Sequence, residues 1–368
     1  MIKRNIAELP LHFGNVPEYL FEKQKKILFE IGRLIIMEFG TEEFLARLSD
    51  PVYFQALGCI SGFDWHSSGV TTTVCHALKE SFSKNPEYGL FCFGGKGKNG
   101  LKTPQEIENC KFIEKKEKFI LISKLTAKVD NNCIQDGYNL YHHMLFVDKK
   151  GNWVVIQQGM NILKGYARRY HWFNKTTNSE NNRFIIEPHT GIISSRKEKN
   201  ILNLVDKNCE IIQKNIIDYL TSLNPENVIK ELKIFLEKSE NIFEVEKKII
   251  LPKHHDVRID FNMNDLYKVL CKLKEKKIES FEDIVLTEGI GMKSLRALFL
   301  ISELIYGKKV LTSDPARYSF AFGGKDGHPY PIDVKTFDET IEFLKYIIDK
   351  AKIGDKEKIE IFRKLSQV

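Results

Sequence analysis

The stretch that most limits the fold of this chain is YNLYHHMLFVDKKGNWVVIQQGM, residues 138–160. Two apolar, β-branched or alternating runs flank Lys149-Lys150-Gly151-Asn152, a polar glycine-containing linker that closes a hairpin. The preceding run KFILISKLTAKVD, residues 118–130, has the same strand-like composition. Residues 117–158 are therefore expected to form a small antiparallel sheet. Helical spacing surrounds it. PEYLFEKQKKILFEIGRLIIMEF repeats apolar residues every three or four positions and stops at Gly40. Thr41, followed by Glu42 and Glu43, reads as the next helix start. A further helix is expected from about Thr71, after a loop of small polar residues. Beyond KEKN at 197–200 the helical runs are 201–222, 225–238, 263–277, 292–306 and 335–352. The fold class is α+β: a mixed domain with a small antiparallel sheet over 1–196, and an all-α domain over 197–368.

No run reaches the roughly 18 apolar residues that a membrane span requires, and the N-terminus has no apolar export signal. Seven cysteines without a CxxC pair suit reduced thiols in a cytoplasm. The formal net charge of +7 permits a nucleic-acid partner without demanding one.

The candidate for such contact is LTEGIGMKSLRALFL, residues 286–300. Gly289 and Gly291 lie between two apolar helical patterns. Glycine supplies positive φ cheaply, and a helix start presents backbone N–H groups to phosphate. The physics is that of a hairpin gripping a strand by its backbone, with Gly289, Gly291, Lys293 and Ser294 as contacts. Phosphate contacts of this kind carry no base sequence directly. The string also resembles the hairpin of the helix-hairpin-helix DNA glycosylases of the endonuclease-three type. That resemblance implies a repair enzyme acting on double-stranded or damaged DNA as a glycosylase/AP lyase. Lys293 would be the Schiff-base nucleophile, and Asp333 of Pro331-Ile332-Asp333 its supporting carboxylate. Asp333 follows Lys293 by forty residues, across a Gly/Pro-rich segment, a longer gap than the family's.

Along its whole length the chain is similar to DUF763, a family without an established activity. RLSDPVYFQALGCISGFDWHSSGVTTTVCHALKE, DGYNLYHH, VIQQGMN, ARRYHWF and ARYSFAFGGKDGHPYPID carry this likeness.

Two other readings of the function rest on the first half of the chain. GFDWHSSGVTTTV, residues 62–74, places Asp64, His66, Ser67, Ser68 and Thr71 ahead of a helix, where hydroxyls and N–H groups bind phosphate. Lys96 and Lys98 belong to a glycine-rich loop, and KGYARRYHWFNK sets Arg168, Arg169 and Trp172 in a basic-aromatic run that suits nucleic acid. In an alternating strand His142 and His143 face opposite sides. Asp136, His143 and Gln157, with Asp64 and His66, are the alternative catalytic set of a nuclease that would use a divalent metal, Mg or Mn. The remaining alternative is a nucleic-acid-binding protein without catalysis.

Overall fold

The computed structural model describes residues 9, 11, 17–62, 68–176, 184–195, 197, 198, 201–222, 224–227, 229, 230, 263–276, 278–306, 314–316 and 334–365. A five-stranded antiparallel sheet forms its centre, built from β1 (Leu90–Lys96), β3 (Asn139–Asp148), β4 (Trp153–Asn161), β5 (Tyr166–Phe173) and β6 (His189–Ser194), in the order β1-β3-β4-β5-β6. A two-residue strand β2 (Ile134–Gln135) pairs separately with β7 (Leu202–Asn203). The expected β3–β4 hairpin is present. Asp148 closes its turn by accepting from the backbone N–H groups of Lys150 and Asn152, and Gly151 supplies φ +91°.

Alternation along the strands sends two apolar sets to opposite faces. Phe91, Phe93, Leu145, Val147, Val155, Tyr170, Trp172 and Ile192 face one helical layer. That layer contains α7 (Lys116–Lys128), α8 (Glu210–Ser222), α9 (Met263–Glu275), α10 (Phe281–Leu286) and α11 (Met292–Tyr306). Cys92, Met144, Phe146, Val154, Ile156 and Phe173 face the other. Its helices are α1 (Glu18–Phe39), α2 (Thr41–Ser49), α3 (Pro51–Ile60), α4 (Gly69–Ser83), α12 (Val334–Lys350) and α13 (Asp355–Leu365). Both apolar clusters draw residues from each side of position 197. Two short helices, α5 (Lys98–Leu101) and α6 (Thr103–Asn109), follow β1.

The fold class is α+β, as expected. One segment differs: KFILISKLTAKVD is α7, not a strand. Its β-branched residues suggest a strand, but the buried positions Phe119, Ile122, Leu125, Thr126 and Val129 repeat at helical spacing, with Leu121 and Lys124 exposed between them. A packed stripe outweighs intrinsic preference. A wide π-turn over Val129–Cys133 continues the helix and turns Asp130 into the interior. Residues 202–203, expected to be helical, pair as β7 instead.

Gly94, at φ +110°, sits against β3, where a Cβ would collide with the carbonyl oxygen of His143. Gly40, at φ +91°, has nothing within 4 Å of the same position. Gly94→Ala is expected to cost about 2 kcal/mol or more, from backbone strain plus a clash with a fixed strand. Gly40→Ala should cost about 1 kcal/mol, from φ alone. Urea unfolding of both variants checks the difference.

Candidate functional site

The register of the sheet aligns Lys96, His142, Gln158 and Arg169 straight across four strands. Lys96 is exposed, while the other three are buried. The first turn of α4 covers this row. The Nε2 of Gln158 donates to the Ser68 carbonyl at 2.9 Å, and the Thr71 hydroxyl donates to the Gln158 Oε1. Arg169 donates from Nε to His171 Nε2 at 2.9 Å and from Nη2 to Gln55 Oε1 at 3.0 Å, and it lies over the Phe54 ring at 4.7 Å. His171 Nδ1 lies 3.1 Å from the Leu48 carbonyl. A carbonyl only accepts, so Nδ1 carries the proton and Nε2 accepts from the guanidinium. His171 is neutral, in keeping with a pKa held well below the ordinary range by burial and by Arg169. Among the described residues no carboxylate pairs with Arg169, and burial lowers its pKa to about 9. The ring nitrogens of His142, which is 2% exposed, make no hydrogen bond among the described residues.

The opposite face carries a second buried set. Gln157 Nε2 donates to Asp130 Oδ2 at 2.5 Å, which fixes the amide and turns its Oε1 toward His143 Nδ1 at 2.9 Å. The proton is therefore on Nδ1, and His143 Nε2 accepts from the Ser123 hydroxyl at 2.9 Å. Asp130 also receives Trp172 Nε1 at 2.9 Å and His189 Nε2 at 2.5 Å. Near the sheet edge, Arg168 bridges two carboxylates, Asp136 at 2.6 Å and Asp314 at 2.7 Å. Burial raises the Asp136 carboxyl, and Arg168 pulls it back down. Asp314 also accepts from the Glu198 backbone N–H at 2.6 Å, so one buried arginine ties residues 136, 198 and 314 together.

These positions correct several expectations. Arg168, Arg169 and Trp172 are fully buried and do not face a nucleic acid. Strand β5 lies between neighbours in the sheet, so its basic and aromatic residues are drawn into the two interior layers. His142 and His143 do face opposite sides. His143 and Gln157 are in direct contact, but Asp136 belongs to the Arg168 pair instead of joining them. Among the described residues, no group of three or more His, Cys, Asp or Glu side chains could hold a metal ion. Ser68 and Thr71 bond inward to Gln158, whereas Lys96 and Lys98 are exposed. Asp64, His66, Ser67 and Asp333 lie outside the described residues. Sequence reasoning did not single out Ser123, Asp130, His189 or Asp314. Ser123 and Asp130 were hidden by the strand reading of α7.

The hairpin joins α10 to α11. Ser280 and Asp283 form a capping box at the start of α10. Gly289 turns the chain with φ +88°, and Ile290 is buried as its anchor. Lys128 Nζ donates to the carbonyls of Val285 at 2.8 Å and Thr287 at 3.0 Å, at the C-terminal end of α10. Gln135 fastens the other arm, donating to the Met292 carbonyl at 2.8 Å and accepting from Arg296 Nε at 2.9 Å. Gly291 has nothing within 4 Å of a Cβ position, and Lys293 is exposed on the first turn of α11.

The model of the family described as Protein of unknown function (DUF763) matches residues 5–332. The chain belongs to that family. No curated protein and no solved structure matches it. The matched span takes in the sheet, both buried polar sets, the hairpin and Asp314, and it stops short of α12 and α13. No helix among the described residues is long and apolar enough to cross a membrane.

His142, His143 and His171 all have pKa values lowered by burial, that of His142 to about 3. Unfolded histidine titrates near ~6.5. The unfolded chain therefore binds more protons below that value, and stability that is full above about pH 7 falls as pH drops. For His142 alone, the loss is about 1.4 kcal/mol per pH unit between the unfolded value and the folded one. Urea midpoints from pH 7.5 to pH 5 should fall in the parent chain and fall less steeply in His142→Phe.

Proposed function

We propose that this chain is a DNA-binding protein that grips a phosphodiester backbone with the hairpin of residues 287–294. The observation that carries this reading is the contrast between the two glycines. Gly289 has a conformational reason to be glycine, since its φ is +88°. Gly291 does not have a positive φ, and a Cβ there would meet nothing. Glycine is tolerated at a helix start, but Ser, Asp or Asn would cap it as well or better. A bare backbone at this point puts no side chain between the first turn of α11 and a phosphate oxygen, with Lys293 nearby. The two arms are held by Lys128, Gln135 and Arg296, so the grip is preorganised. Lys293 is exposed, and that position suits a phosphate contact. A Schiff-base nucleophile needs a desolvated lysine of lowered pKa.

Fluorescence anisotropy with a labelled duplex tests the grip. Gly291→Val should fold like the parent chain and bind DNA roughly tenfold or more weakly, because its side chain occupies the approach path. Lys293→Glu should weaken binding and lower the slope of log K against log salt by about one. Gly289→Val should lose stability as well as binding. Unchanged affinity in both Gly291→Val and Lys293→Glu removes the hairpin as the grip. A borohydride-trapped adduct on abasic duplex, absent in Lys293→Ala, would make Lys293 a nucleophile instead of a contact.

A further inference from the structure

The sheet hides most of its apolar side chains between two helical layers, but the turn from β4 to β5 holds two of them out in water. Ile162 is 71% exposed and Leu163 is 100% exposed, side by side at the tip. The backbone of this tip is pinned. Asn161 Oδ1 accepts from the Lys164 N–H at 3.1 Å, and the Asn161 carbonyl accepts from the Gly165 N–H at 3.0 Å. Gly165 takes φ +74°, and its own carbonyl accepts from the Leu11 N–H at 2.9 Å. A scattered exposed leucine needs no explanation, but an adjacent apolar pair on a fixed tip marks a contact surface.

The topology sets this tip among cations. Gln135 holds the start of α11, and two residues on, Gly137 lies so near Asn161 that a Cβ would be 3.0 Å from its Nδ2. On the other flank, Leu140 faces Gly159 in register, and the next carbonyl, that of Tyr141, accepts from the Gly97 N–H at 2.7 Å. One end of the sheet therefore gathers the hairpin of residues 287–294, the Ile162-Leu163 tip and the loop after β1. That loop exposes Lys96, Lys98 and Lys102 around Leu101, which is itself 82% exposed. Residues 88–105 contain no Asp or Glu, so these charges have no acidic neighbours in sequence. Clustered cations beside protruding apolar side chains complement a polyanion with an apolar interior.

We propose that Leu163, with Ile162 beside it, is a wedge that enters the base stack of duplex DNA lying across this end of the sheet. The inference rests on the reading of the chain as a DNA-binding protein. Size selects the occupant. A stable protein interface buries about 1,200 Å² or more, and two side chains on a tight turn supply only a small part of that. A base step is parted by one or two apolar side chains, and leucine and isoleucine serve as such wedges. Lys96, Lys98 and Lys102 neutralise the flanking phosphates. The preferred partner is a duplex with a flexible or mismatched step, where unstacking costs least.

The test uses 2-aminopurine, a base whose fluorescence rises when it leaves the stack. Short duplexes carry it at an intact step or next to a mismatch, and anisotropy of the same duplexes reports binding of the full chain. At saturating protein the fluorescence should rise roughly twofold or more, most beside the mismatch. The double variant Ile162→Ser, Leu163→Ser should melt with the parent chain, since both side chains are exposed. It should still bind with the parent's salt slope and give no rise. Lys96→Glu with Lys98→Glu should lower the slope of log K against log salt by about two. Binding without a rise, or a rise that the double serine variant keeps, overturns the wedge and leaves the hairpin grip standing. A rise that needs Leu163, with affinity unchanged in Gly291→Val and Lys293→Glu, removes the hairpin grip and supports the wedge. No binding to either duplex overturns both. Cosedimentation with anionic phospholipid vesicles that the double serine variant loses, without a rise on DNA, overturns the wedge in favour of a membrane contact.

Discussion

The structure depends on one geometric constraint: three neighbouring strands carry paired polar residues at the same level of the sheet. His142-His143, Gln157-Gln158 and Arg169-Tyr170 lie side by side in β3, β4 and β5. Because side chains alternate, each pair sends one member to each face. A polar band therefore crosses both interiors of a sheet covered by helices on both sides. Each buried member needs a partner, and an unsatisfied one costs on the order of 1–3 kcal/mol. Much of what lies beyond the apolar packing of this fold answers that need. The π-turn of α7 brings Asp130 to Gln157, His189 and Trp172. The start of α4 covers Gln158. Asp314 is drawn to Arg168 from far along the chain.

The two faces solve the same problem differently. On the α7 face, acidic groups balance the polar band, and the donors and acceptors of Asp130, Gln157, His143 and Ser123 close in one direction. On the α4 face, charge is left uncompensated among the described residues. A protein that only needed a stable sheet would gain by replacing an unpaired buried arginine with an apolar residue. Arg169 instead shares its row with a histidine whose ring nitrogens make no hydrogen bond among the described residues.

The hairpin is fastened to the same framework. Gln135 holds the start of α11, and the next residue, Asp136, pairs with Arg168. Sheet, buried ion group and hairpin are thus consecutive along a few residues of backbone. The hairpin is set on a rigid support.

Much of the fold was legible from local chemistry. Gly40 ends α1, the Asp148–Asn152 turn closes β3 onto β4, and Gly289 turns α10 into α11, because each depends on residues close in sequence. The opposite facing of His142 and His143 was legible for the same reason: strand alternation is local. The helix α7 was misread because its β-branched residues compete with a helical stripe that shows only against the sheet it packs on. Arg168, Arg169 and Trp172 resemble a nucleic-acid surface in sequence, since a basic-aromatic run looks the same on a surface strand and a buried one. What buries them is the flanking of β5 by β4 and β6, together with two helical layers. The sequence by itself determined the turns, the strand alternation and the bare backbone at Gly291. Only the tertiary structure decided which of two adjacent arginines is neutralised, because their partners come from opposite faces and include residues more than a hundred positions away.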